Sequence, residues 1–257
     1  LRRSGEKPRD GEGAPEQTGE PAEELVIPPS GGGKRRRAIG WLGIALAVLG
    51  GLIIVYATVV FLFGDPITGL YHDWRQHQMA RQLDRTFARF ERTMPKKDHR
   101  ELSPAKIRAE ARSFAAQAKE GQPIGRLQIP SIHVSEIVVN GTRWAEDLSR
   151  GPGRYPQSSF PGLGKVTAIA GHRTTFGAPF RHIDQIKVGD RIILRMPYGT
   201  FVYLVFDHKV VPAGDWSILR RRGFEELVLS ACHPLYSASH RWIVFSRLIS
   251  VARPSLK

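Results

Sequence analysis

Leu227-Val228-Leu229-Ser230-Ala231-Cys232-His233-Pro234 is a short apolar run that ends in the only cysteine of the chain. Arg241 follows nine residues later, at the head of a second apolar run, Trp242-Ile243-Val244-Phe245. Cysteine contributes reactivity more than bulk, so one placed at the end of a strand prompts a search for a partner base. His172 is the best candidate. It ends the run Ile169-Ala170-Gly171 and opens a loop that continues Arg173-Thr174. Two strand ends and an arginine can then assemble a Cys/His/Arg site.

Around these runs, short stretches rich in Val, Ile, Phe and Tyr alternate with Gly, Pro and Asn turns from Gly125 onward. Strands are expected over 125–129, 133–139, 166–170, 191–195, 201–206, 226–231 and 242–251. Seven or eight short strands at this spacing point to an all-β barrel or sandwich. Helical turns are expected near 144–149 and 179–183.

The N-terminal half reads differently. Residues 1–37 hold Gly, Pro, Glu and Arg with few large apolar residues, the composition of a disordered tail. Lys34-Arg35-Arg36-Arg37 abuts an uncharged apolar run over 38–63. That run is long enough to span a bilayer. It is longer than a signal-peptide core and ends without an A-x-A pattern, so an uncleaved anchor is expected. The basic cluster would keep the tail cytoplasmic and put the rest outside, at the plasma membrane. Residues 64–121 read as a helical stalk or linker. Leu83, Phe87 and Phe90 form one apolar stripe, Pro95 interrupts, and Ser103-Pro104 caps a second helix. A lid over the domain and a polar spacer both suit this segment. Residues 122–257 are expected to form the catalytic domain. The sequence begins at Leu1 rather than Met, and a natural start further upstream is expected.

The formal net charge is +14, which suits an anionic surface such as a membrane or wall polymer. The expected orientation argues against nucleic acid as a partner. One cysteine excludes an internal disulfide. His233 and His240 flank the cysteine without a C-x-x-C or H-x-x-x-H set, and Glu225-Glu226 is only an adjacent pair. No metal or other cofactor is expected. His133, His182 and His208 read as structural or surface residues, and Arg220-Arg221-Arg222 as a solvated loop.

The chemistry of the three residue types is coherent. A thiol at its ordinary pKa is only a few per cent thiolate at neutral pH. A neighbouring imidazolium stabilises the anion and later delivers a proton to a leaving amine. Arginine is always charged and donates hydrogen bonds in a fixed fork, suited to a carbonyl or a tetrahedral oxyanion. Together they suit acyl transfer through a thioester. Taken singly, each residue also reads as a core thiol, a loop histidine or an edge charge.

In order along the chain, Ala170-Gly171-His172-Arg173-Thr174, Leu229-Ser230-Ala231-Cys232 and Arg241 resemble the histidine, TLxTC and arginine motifs of the sortases. The nine-residue gap, the Cys-His-Pro run and Gly171–Phe180 are most similar to the class E and class D sortases of Gram-positive bacteria, actinobacteria especially. The resemblance implies an eight-stranded sortase-type β-barrel with short helices, behind a transmembrane helix and a helical stalk. It implies a cysteine transpeptidase that cleaves an LAxTG or LPxTG sorting signal between Thr and Gly. Cys232, His172 and Arg241 would be catalytic. The accepting amine would belong to a peptidoglycan precursor or a pilin lysine. Ser230, Ala231, His233, Tyr155 and Thr174 would meet the substrate. Two positions depart from the motif: Ala231 and Val228 stand where threonine is common. A hydrolytic relative and a non-catalytic wall-binding module are the alternatives.

Overall fold

The run that ends at Cys232 is a strand whose first six residues are buried, and a barrel closes around it. The computed structural model describes residues 32–63, 66–93 and 103–254. The strands are β1 (Pro123–Ile129), β2 (Val134–Asn140), β3 (Gly153–Arg154), β4 (Val166–Gly171), β5 (Arg191–Met196), β6 (Gly199–Pro212), β7 (Glu226–His233) and β8 (His240–Ala252). They close in the order β1-β2-β3-β4-β7-β8-β6-β5. The β2–β3 and β4–β7 ladders are parallel, and the others are antiparallel. Of the two architectures left open by strand spacing, the closed barrel is the one adopted. Closure leaves no unpaired edge.

The period of two decides the two faces. Leu227, Leu229 and Ala231 of β7 join Ile169 of β4 and Val244 of β8 in the barrel interior. Val228 of β7, Val166 and Ala168 of β4, and Ile243 and Phe245 of β8 form a second cluster on the other face. Val211 and Ile218 belong to it too, so the β6–β7 connection, with its short 3-10 turn Trp216–Leu219, covers that face.

Among the described residues, three helices precede the barrel: α1 (Gly32–Phe63), α2 (Pro66–Thr93) and α3 (Pro104–Gln117). Within α1, Gly40–Phe61 is long and apolar enough to cross a membrane, with mean hydropathy 2.6. At 1.5 Å per residue this stretch is about 33 Å long, against a hydrocarbon core of roughly 30 Å. The expected disordered segment lies outside the described residues up to 31, and its last residues open α1; Pro95 also lies outside them.

α2 and α3 bury apolar stripes. Met79, Leu83 and Phe87 of α2 pack with Ile137 and Val139 of β2. The Gln76 side chain bonds like a strand partner: Oε1 accepts from the Ile137 amide at 2.7 Å and Nε2 donates to the Arg150 carbonyl at 2.9 Å. Ser103 caps α3 by accepting from the Lys106 amide, with Pro104 in the first turn. α3 then buries Ile107, Ala111 and Phe114, and Phe114 meets Phe90 of α2 and Phe160 edge-on. A helix with one apolar stripe folds by covering another surface. Here that surface is the barrel rather than solvent.

Apart from shifts of one or two residues at strand ends, expected elements differ most in three places. The two-residue strand β3 carries too short a pattern to read. β6 continues past Phe206 through the exposed stretch Asp207–Val210 because β8 pairs with it to Pro212. α3 ends at Gln117 rather than Gly121, and Gly121 adopts a positive φ of 75° beyond it. The expected turns at 144–149 and 179–183 appear as a π turn at Trp144–Leu148 and a 3-10 turn at Ile183–Gln185.

Candidate active site

Register brings the three chemical residues together. In the parallel β4–β7 ladder, Gly171 is opposite Ala231. His172 and Cys232 are the next residues on the two chains. In the antiparallel β7–β8 ladder, Cys232 is directly opposite Arg241. Alternation then sets direction. Cys232 shares the face of Val228, and Arg241 that of Ile243. These two therefore sit on the outer face at one end of the barrel, and His172 follows the last residue of β4 at the same end.

Local contacts fix His172 closely. Its carbonyl accepts from the Phe180 amide at 2.9 Å. Phe176, Gly177 and Ala178 all adopt positive φ, which turns the intervening loop back sharply. Phe176 lies 5.3 Å from the His172 ring and meets Trp144 edge-on. Burial pushes the His172 imidazole below its ordinary value, and a charge on His72 pushes it the same way. His172 Nε2 is buried and hydrogen-bonds to no protein atom among the described residues.

His72 is a contribution from α2 that the sequence did not announce. Its side chain is almost wholly buried and bonds Glu136 Oε2 through Nε2 at 2.9 Å. A Cβ on Gly177 would come within 2.5 Å of the His72 ring, so α2 rests directly on the histidine loop. Cys232 is half-buried and free. Arg241 Nη1 donates to the carbonyls of Ala238 and His240, each at 2.9 Å, which holds its guanidinium against the turn between β7 and β8.

The other expected site residues divide by face. Ser230 shares the face of Cys232, and the Tyr155 hydroxyl donates to its Oγ at 3.3 Å. Trp216 packs edge-on against Tyr155 at 6.0 Å. Arg154 secures this corner from beneath. It donates from Nη1 to the Tyr155 and Ser158 carbonyls and from Nε to Asn140 Oδ1, and its guanidinium lies 4.1 Å above the Phe160 ring. Burial lowers its pKa to about 10. Thr174 is half-buried in the histidine loop. Ala231 and His233 alternate to the opposite face from Cys232: Ala231 is in the core, and the His233 ring lies 5.4 Å from Trp242. Among the described residues, no group of three or more His, Cys, Asp or Glu is arranged to hold a metal.

One end of this closed eight-stranded barrel carries a cysteine, a histidine and an arginine, the residue types that acyl transfer through a thioester can use. Residues 127–249 match the family model described as a sortase domain, and this part of the chain is a sortase domain. It is 34% identical to sortase D of Bacillus subtilis over 134 residues, 51% of this chain and 66% of that protein. It is 28% identical to sortase SrtE1 of Streptomyces coelicolor over 152 residues, 53% of this chain and 43% of that protein. The fold is similar to a Clostridium perfringens sortase D5 transpeptidase, with TM-score 0.55 and 20% identity, covering 68% of this chain and 99% of that one.

Proposed function

We propose that the protein is a membrane-anchored cysteine transpeptidase that cleaves an LAxTG or LPxTG sorting signal between Thr and Gly. The observation that carries this reading is the register at the barrel end, with His172 and Arg241 on either side of Cys232. In the first step the Cys232 thiolate attacks the Thr carbonyl carbon. Arg241 donates to the developing oxyanion. The C–N bond breaks, and the His172 imidazolium gives its proton to the departing glycine amine. In the second step an incoming amine attacks the thioester, His172 takes its proton, and the Cys232 thiolate leaves. The net change is one amide exchanged for another. Burial, and after it the charge on His72, hold His172 below its ordinary pKa, which disfavours the imidazolium form of the ring.

Ser230 and Tyr155 lie beside Cys232 on the same face and would line the path of the signal peptide, with Thr174, Ala231 and His233 supporting the ends of the strands. The apolar helix before the domain suits an anchor in the plasma membrane, with residues 1–37 cytoplasmic and the barrel outside. The acceptor would be an amine of a peptidoglycan precursor or a pilin.

The test is mass spectrometry of the detergent-solubilised chain with an LAxTG peptide, an LPxTG peptide and an excess of a glycine-based amine. A ligated product that is absent with Cys232→Ala is expected. Cleavage to a free carboxylate without ligation would convert the reading to a hydrolase. Turnover by Cys232→Ala would overturn it.

A further inference from the structure

Arg173 follows His172 directly and is almost wholly buried. Its side chain is 1% exposed. An ionised group this deep needs a full set of partners. Nη2 pairs with Asp184 Oδ2 at 2.7 Å, and Nε and Nη2 donate to the Arg181 carbonyl at 3.3 and 3.2 Å. The remaining arm reaches the nucleophile strand, where Nη1 donates to the Cys232 carbonyl at 3.4 Å and lies 3.3 Å from His233 Nδ1. One planar fork thus ties the histidine loop, the 181–184 turn and the end of β7 together.

The chemistry of the last contact is directional. A guanidinium has donors only, so the nitrogen facing it must carry a lone pair. His233 Nδ1 is therefore the acceptor, and its proton resides on Nε2. We propose that Arg173, neutralised by Asp184, is the positioning residue of the nucleophile: it fixes the backbone of Cys232 and holds His233 as the neutral Nε2–H tautomer. The inference deepens the transpeptidase reading and rests on it for its kinetic consequence. Its structural consequence stands apart from that reading.

The full chain in detergent micelles, labelled with ¹⁵N-histidine and with the His233 signals assigned by His233→Gln, gives the first readout. In the wild type, Nδ1 of His233 should resonate as an unprotonated ring nitrogen and Nε2 as a protonated one. Arg173→Met should mix the tautomers. In peptide ligation, Arg173→Met should lower kcat on the order of 10- to 100-fold with KM little changed, because a nucleophile displaced by a fraction of an ångström loses its attack geometry. Arg173→Lys should not rescue, since an ammonium keeps the charge and loses the fork. If Arg173→Met does not fold, Asp184→Asn, at a half-exposed position, should move both readouts partway. A protonated His233 Nδ1 in the wild type, or a ring signature or kcat unchanged in these variants, overturns the proposal. A wild type with no turnover on any peptide sinks the transpeptidase reading, and the tautomer signature then decides the role of Arg173 by itself.

Discussion

Cys232 and Arg241 are direct cross-strand partners on β7 and β8. Opposite residues of an antiparallel pair project to the same face with Cβ atoms about 4.5–5.5 Å apart. The ladder itself therefore sets the root of the Arg241 side chain beside that of Cys232. Two bonds from Nη1 to the 238–240 turn use only part of its five donors. Arg241→Ala should lower kcat/KM on the order of 10²- to 10³-fold, the scale of one lost oxyanion donor. Arg241→Lys should recover part of this through charge alone. Ligation kinetics beside a thermal melt make the check, and near wild-type turnover by Arg241→Ala would remove the residue from the mechanism.

The pH profile should carry the signature of His172. Its folded-state pKa lies below the ordinary 6.5, first because of burial and second because of His72. The folded state therefore resists protonation of this ring. The acid limb of kcat/KM should fall below 6.5 accordingly. Replacing His72 by Gln removes a positive neighbour, so the limb should move upward. The stability sign is consistent. Above 6.5 the ring is neutral both folded and unfolded, and stability is lost as pH falls towards the depressed folded value. An acid limb unmoved by His72→Gln would mean that the two imidazoles are not coupled.

Much of this site was legible because strands end where chemistry begins. Cysteine, histidine and arginine each stand at the end of an apolar run, and a period of two tells which neighbours share their face. Arg173 was not legible in the same way. It lies within the histidine motif, but an arginine in a loop reads as solvated unless its tertiary partners are known, and Asp184 and the Cys232 carbonyl come from distant segments. His72 lay a hundred residues before His172 in a polar helix, and no local pattern links them. The stripe on α2 was visible, whereas the surface it covers depends on β2. The strand β3 escaped because two residues carry no period.

The glycine before His172 should tolerate nothing larger. A Cβ at Gly171 would stand 2.5 to 2.8 Å from three atoms of the Phe180 ring, which is itself fully buried. Phe180 cannot retreat, since its amide is bonded to the His172 carbonyl. Overpacking of this kind costs about 1–3 kcal/mol. Gly171→Ala should therefore lower the urea midpoint and reduce kcat together, by displacing the histidine loop. Adding Phe180→Leu should restore part of both. No recovery in the double variant would show that the clash lies elsewhere.

Glu225 governs the other end of the strand that carries Cys232. It immediately precedes β7, and its carboxylate accepts from the amides of Gly162 and Gly164 at 2.7 and 2.8 Å and from the Tyr203 hydroxyl at 3.1 Å. Glu225→Ala would strand these donors, Tyr203 in the barrel core among them, at a cost of about 2–4 kcal/mol. Burial raises the Glu225 pKa in spite of those bonds and of Arg108. The folded state thus takes up this proton more readily than the unfolded chain. The stability the group contributes is fully present below about 4.5 and declines as pH rises through the raised folded value. Urea titrations across that range should show the slope in the wild type and a flatter curve in Glu225→Gln, whose side chain does not titrate. The Gln variant should also lose less at neutral pH than Ala, because one oxygen still accepts. Identical curves for the wild type and Glu225→Gln would mean that the carboxylate is not sensed by folding, and the tie between the 160–164 loop and β7 would then rest on packing alone.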